Sequence, residues 1–119
     1  MALNRVVLQG RLVADVDLKT VGDDVKVATL RIAVDRDRKN KDGEREADFF
    51  NVTAWRHTAE FVAQYFGKGD PIIIDGRLQY RTWQADDNST RSTVDVVADT
   101  VYFAGGKSND KSGQDELPF

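Results

Sequence analysis

Phe49, Asn51, Thr53 and Trp55 occupy alternate positions of one run, and Asp75, Arg77, Gln79, Arg81 and Trp83 alternate positions of another. If both runs are strands, alternation puts each set on one face. The opposite faces already hold a natural core: Phe50, Val52 and Ala54 in the first run, and Ile72, Ile74, Leu78 and Tyr80 in the second. Gly76 is the position at which a bulge would reset the second pattern. Large aromatics beside amides and guanidinium groups have a specific use. A ring exposed on a sheet can stack on any planar base, at about 1–3 kcal/mol per contact. Phe49, Trp55 and Trp83 would together supply about 3–9 kcal/mol gross. Arg77 and Arg81 can meet the accompanying phosphates or stack themselves. A duplex hides its base faces, so this chemistry fits a single strand. A lone aromatic on a small β domain more often packs a core or a subunit interface. Three on matching faces, two of them Trp, outweigh that reading.

A second feature is the segment Arg36-Asp37-Arg38-Lys39-Asn40-Lys41, with four cations against one anion. Alone it reads as a solvated hairpin. Beside Phe49 and Trp55 it reads as a phosphate clamp built from Arg36, Arg38, Lys39 and Lys41. The net charge of −3 argues against a phosphate ligand only if the charges are evenly spread. They are not: residues 36–41 carry +3, 49–57 carry +1 and 76–84 carry +2, leaving −9 for the rest. Acidic residues are thus expected away from the path of the bound strand.

Catalytic chemistry finds little support. The chain has no Cys and one His, His57, so disulfides, zinc ribbons and His clusters are excluded. Gly67-Lys68-Gly69 lacks the upstream glycine and the Ser/Thr of a phosphate-cradling loop. Asp23-Asp24 and Asp86-Asp87 are adjacent carboxylates in turn-like contexts, where solvation is the ordinary state. No enzyme activity, metal or cofactor is expected.

The elements that must position these faces follow from the pattern. A chain of 119 residues with 40% hydrophobic content is one domain with one core. Strands are expected over 4–13, with Gly10 a bend or bulge, and over 25–35, 47–56, 72–83 and 93–103; residues 16–20 extend the first strand or pair locally. Asp42-Gly43 is a hairpin signal. Thr58 is expected to cap a helix over 59–66, with Phe61, Val62, Tyr65 and Phe66 on one face and Gly67 as its stop. The fold class is therefore mainly β: a five-stranded Greek-key OB-fold barrel with one short helix between strands 3 and 4, plus a flexible C-terminal tail. Tyr80 is expected in the core or an interface. Residues 1–104 form the domain, 105–114 a polar flexible linker and 115–119 a tip where apolar residues return. No apolar run approaches the roughly 18 residues of a membrane span, and no signal segment opens the chain. A soluble, cytoplasmic protein is expected.

Asn4-Arg5-Val6-Val7-Leu8 with Gly10-Arg11-Leu12 resembles the opening of bacterial and phage single-stranded DNA-binding proteins. So do Ala47-Asp48-Phe49-Phe50-Asn51 with Trp55-Arg56, Gly76-Arg77-Leu78-Gln79 with Trp83, and Val96-Val97-Ala98-Asp99. The terminal Asp115-Glu116-Leu117-Pro118-Phe119 is similar to that family's acidic Pro-Phe tip. The resemblance implies an OB fold, usually a homotetramer, that wraps single-stranded DNA without sequence preference in replication, recombination and repair, in the cytoplasm at the nucleoid. It places the family's stacking aromatics on Phe49, Trp55 and Trp83, and its basic positions on Arg5, Lys68 and Arg81. A further family aromatic aligns near Arg38, and two further basic positions are Asn51 and Gln79 here. The tip implies docking of replication, recombination and repair proteins. Phe119 would fill an apolar pocket, and its carboxylate, Asp115 and Glu116 would meet a basic rim. Two rivals stand beside this reading. One is an OB-fold protein-interaction module of a replication or primosome assembly; the other is a metal-dependent hydrolase built on clustered Asp.

Overall fold

Alternating apolar residues become strands wherever a turn residue lets the chain reverse. In the computed structural model, which describes residues 2–105, the order is β1 (Val6–Leu12), β2 (Asp17–Val21), β3 (Val25–Lys39), β4 (Arg45–Trp55), α1 (Arg56–Tyr65), β5 (Pro71–Gln84) and β6 (Thr90–Phe103). The strands form one sheet in the order β1-β5-β6-β4-β3-β2, and a further β1–β3 pairing joins its ends. Five strands therefore make a closed ring of the OB arrangement. The residues that could either extend the first strand or pair locally do the latter: β2 is a hairpin arm on β3, outside the ring. With that arm counted, the helix lies between β4 and β5. Leu12, Leu30, Ile32, Val52, Ile72, Ile74 and Val96 fill the ring's interior, and Ala59 and Val62 of α1 are buried with them.

Several boundaries move for identifiable reasons. β3 continues to Lys39, past the expected end at 35, because Lys39 still pairs with Arg45 beyond an irregular register. Arg36, Arg38 and Lys39 therefore belong to a strand arm, and Lys41 to its turn. Asn40 shapes that turn: its side-chain oxygen accepts from the amides of Asp42 and Glu44, both at 2.9 Å, while Gly43 takes φ +79°. Thr58 does not cap α1. The helix starts three residues earlier than expected, at a sharp corner where Arg56 adopts φ +58°, and the Thr58 hydroxyl donates instead to the Asp99 carbonyl at 3.4 Å. Nor does Gly67 stop it. Phe66 turns extended and sends its ring into the core, stacked on Phe103 with centroids 5.0 Å apart, so side-chain burial ends the helix.

Gly10 is not a bulge; it pairs regularly with Ile72, and a Cβ there would collide with the Ala33 carbonyl where β1 crosses β3. Gly76 likewise faces the Val97 carbonyl. The irregularity beside it lies on β6, where Asp75 pairs with Thr100 and Gly76 with Ala98, leaving Asp99 as the extra residue. The alternation within β5 is therefore not reset.

Candidate nucleic-acid interface

Register decides which side chains share a surface. Arg77 pairs with Val97, Val97 with Thr53 and Thr53 with Thr29, a row across β5, β6, β4 and β3. Paired residues point to the same side of a sheet, so the two alternating sets form one continuous outer face. Phe49, Asn51 and Trp55 lie on it from β4, and Arg77, Gln79, Arg81 and Trp83 from β5. The core side chains Val52, Ala54, Val96 and Ala98 point the other way. Because β4 and β6 run parallel, the β3–β4 and β5–β6 hairpins project from the same end of the ring. Phe49 and Trp83 lie toward that end, and Trp55 toward the end occupied by α1. From Arg77 to Trp83 the face extends about 20 Å along β5.

All three aromatics are half-exposed: Phe49 51%, Trp55 45% and Trp83 43%. Two carry a guanidinium on the ring. Arg81 lies over Trp83 at 5.0 Å from the centroid and Arg31 over Phe49 at 5.3 Å. Neutral and anionic partners fix these cations in place. Arg31 Nη1 donates to Asn51 Oδ1 at 2.9 Å, and Arg81 Nε donates to Asp95 Oδ2 at 2.9 Å. Asp95 is only 15% exposed, and its other oxygen is buried without a hydrogen-bond partner. Arg77 pairs with Asp99 at 2.8 Å and Arg5 with Asp75 at 2.5 Å.

These pairs overturn the charge map drawn from sequence. Asp75, Asp95 and Asp99 lie far from the basic segments along the chain or outside them in charge counting, yet the fold returns them to the arginines. These three acidic residues are on the face and not away from it. Only the Arg77–Asp99 pair is exposed on both sides and so contributes little to stability; Asp75 and Asp95 are largely covered, and in all three pairs the arginine already has an anion.

The remaining expected cations are distributed unevenly. Arg38 and Lys39 end the β3 arm, with Lys41 in the turn beyond, all exposed. Arg36 bonds to Asp48 at 2.8 Å and Glu46 at 3.1 Å. Asp48 and Phe49 are successive strand residues, so Arg36 is on the other side of the arm. Hydrogen bonding from Arg36 holds the Asp48 carboxyl below the usual carboxylate range. The link is complete above the ordinary carboxylate pKa and is lost as pH falls through the lowered value. Lys68 occupies the loop before β5, at the opposite end of that strand from Trp83, its amide bonded to Asp15. The Asp115–Phe119 tip and the linker from residue 106 lie outside the described residues. Among the described residues, no group of three or more His, Asp or Glu could hold a metal ion. Asp87 is instead occupied by the hydroxyl and amide of Ser89, whose hydrogen bonds keep its carboxyl low.

Comparison with known proteins matches residues 3–104 to the model of the Single-strand binding protein family. The chain belongs to that family. Its relatives include a single-stranded DNA-binding protein of Oceanobacillus iheyensis, 46% identical over 113 residues, covering 95% of this chain and 70% of the other. Single-stranded DNA-binding protein 2 of Listeria monocytogenes is 44% identical over 93% of this chain and 69% of its own. A single-stranded DNA-binding protein of Bacillus cereus is 46% identical over 85% of this chain, which spans 59% of the relative's length. The family description and these names are those of binding proteins, in keeping with a chain that is not an enzyme.

Within this member of the single-strand binding family, alternation found Phe49, Trp55 and Trp83; it missed Tyr102, 49% exposed on the same outer side of β6 through its pairing with Ile73. It also missed Arg31, although Arg31 alternates with Leu30 and Ile32 on the polar side of β3. Only the register, which sets Arg31 opposite Asn51, reveals its neighbour. Alternation placed Asp75 on the face, but its pairing with Arg5, and the pairings of Asp95 and Asp99, were invisible for the same reason. Tyr80 is 68% exposed and is not core; it shares the reverse face of the β5–β6 arm with Leu78 and Val94.

Proposed function

We propose that the protein binds single-stranded DNA without sequence preference and protects it during replication, recombination and repair. The observation that carries this reading is a single face with three half-exposed aromatic rings interleaved with guanidinium groups. Bases stack on Phe49, Trp55 and Trp83. Arg5, Arg77 and Arg81 take phosphates along the ring, and Arg38, Lys39 and Lys41 take them at the hairpin end; Gln79 supplies hydrogen bonds between the rings, and Asn51 serves the strand through its side-chain partner Arg31. Arg36 and Lys68, off this face, serve a strand that continues around the molecule. The names of the relatives support the ligand.

Residues 1–104 act as the binding domain, with 105–114 linking it to the docking segment Asp115, Glu116, Leu117, Pro118 and Phe119, which recruits partner enzymes. A homotetramer is supported by the uncovered apolar side chains Leu78, Tyr80 and Val94. Cytoplasmic action at the nucleoid accords with such a ligand; no helix among the described residues is long and apolar enough to cross a membrane.

Both tryptophans of the chain are on the face, so poly-dT should quench intrinsic fluorescence. Affinity should fall with salt by a slope near −0.7 per phosphate neutralised. Absence of quenching at low salt would sink this reading and favour a protein-interaction module. A second expectation concerns the ion pairs. Asp99→Asn removes the anion that competes with phosphate for Arg77. Poly-dT affinity should rise by about 0.2–1 kcal/mol, with a steeper salt slope, because no displaced carboxylate then recaptures a cation. Unchanged affinity and slope would mean that phosphate never engages Arg77.

A further inference from the structure

We propose that Arg31 contacts the phosphate of the nucleotide stacked on Phe49, and that Asn51 is the residue that positions it. The inference rests on the single-stranded DNA reading and adds a contact that the aromatic and basic patterns did not assign. Its basis is a difference among the arginines of one face. Arg5, Arg77 and Arg81 are each bonded to a carboxylate. Arg31 is bonded to a neutral amide, and among the described residues it has no ion pair. Its charge is therefore uncompensated where the others are masked.

Position strengthens the case. Arg31 pairs with Asn51, one alternate position from Phe49 and two from Trp55 along the same face. It is thus the cation of the interval between two stacking rings, about 13 Å from the level of Trp55 along the strand. The guanidinium rests over the Phe49 ring at 5.3 Å from its centroid, an exposed cation–π contact of modest strength. A charge-assisted bond to phosphate is stronger. A base arriving on Phe49 can take the ring while the long Arg31 side chain swings outward to the phosphate of that nucleotide. Asn51 holds the guanidinium at the level of Phe49 beforehand, so it has only to leave the ring to reach the phosphate of the nucleotide whose base replaces it.

The experiment is poly-dT titration across a salt series with the full chain, Arg31→Ala, Asn51→Ala and the double variant, each checked by thermal melting. Arg31→Ala should weaken binding about tenfold at low salt and reduce the salt slope by about 0.7, one phosphate. Asn51→Ala should weaken binding less and keep the slope, since the charge remains. The double variant should bind no more weakly than Arg31→Ala. A wild-type slope in Arg31→Ala would overturn the contact, and tighter binding would make the guanidinium a lid that excludes bases. Additive losses in the double variant would overturn the positioning role. Absence of binding by the unsubstituted chain would refute the underlying DNA reading instead, so the two failures are separable.

Discussion

The double variant Trp55→Ala/Trp83→Ala should lose about 2–6 kcal/mol of affinity for single-stranded DNA while melting close to the wild-type temperature. The two rings lie toward opposite ends of the face and share no partner, so their effects should add. Neither is a core residue: each leaves over two-fifths of its surface in water, and the core is filled from the other face. Trp83→Ala also removes the cation–π contact with Arg81, worth about 0.5–1 kcal/mol. Arg81 stays tied to Asp95 and is not freed by the loss. Because the variant contains no tryptophan, affinity is measured from the anisotropy of a labelled oligo-dT. Parallel losses of affinity and melting temperature would instead show that the rings hold the fold.

Gly76→Ala should have the opposite signature, in which stability falls first. A Cβ at this position meets the Val97 carbonyl and comes within 3.0 Å of Ala98 Cα, both backbone atoms that cannot rotate away. Overpacking of this kind costs about 1–3 kcal/mol, and more where backbone must shift. The collision lies on the row that joins β5 to β6 and β4, beside the extra residue Asp99. Separation of the strands there would tilt the arm carrying Arg81 and Trp83 relative to Phe49 and Trp55. The melting temperature should drop by about 4 °C or more, with weaker DNA binding following from the altered alignment. Gly43→Ala provides the contrast: nothing lies within 4 Å of its Cβ, and only the φ of +79° is strained, at about 1–2 kcal/mol. If Gly76→Ala were no more costly than Gly43→Ala, the close approach would not constrain the ring.

Much of this architecture was legible because it depends on period and chemistry alone. The two-residue alternation placed Phe49 and Trp55 outside and Val52 and Ala54 inside, and no tertiary information was needed. The same alternation could not show Asp95 returning to Arg81 or Arg31 resting on Phe49, since those contacts are set by pairing between strands. Thr58 illustrates a different limit. A hydroxyl before an apolar run is a sound capping signal, but the left-handed corner at Arg56 started the helix early and left Thr58 inside it. The strand end at Lys39 was missed because charged residues gave no periodic signal, while cross-strand pairing kept the backbone extended.

The ring is shut between β1 and β3 by two register pairs, Arg11 with Ala33 and Leu12 with Ile32, whereas β1 meets β5 through six. Local opening follows the line with the fewest bonds, so amide hydrogens flanking this seam exchange with solvent sooner than those of the β5–β6 arm. Opening there breaks no pairing among β3, β4, β6 and β5, the strands that hold the stacking rings of β4 and β5 in register. The molecule can therefore breathe in girth while the spacing read by a nucleic acid stays fixed.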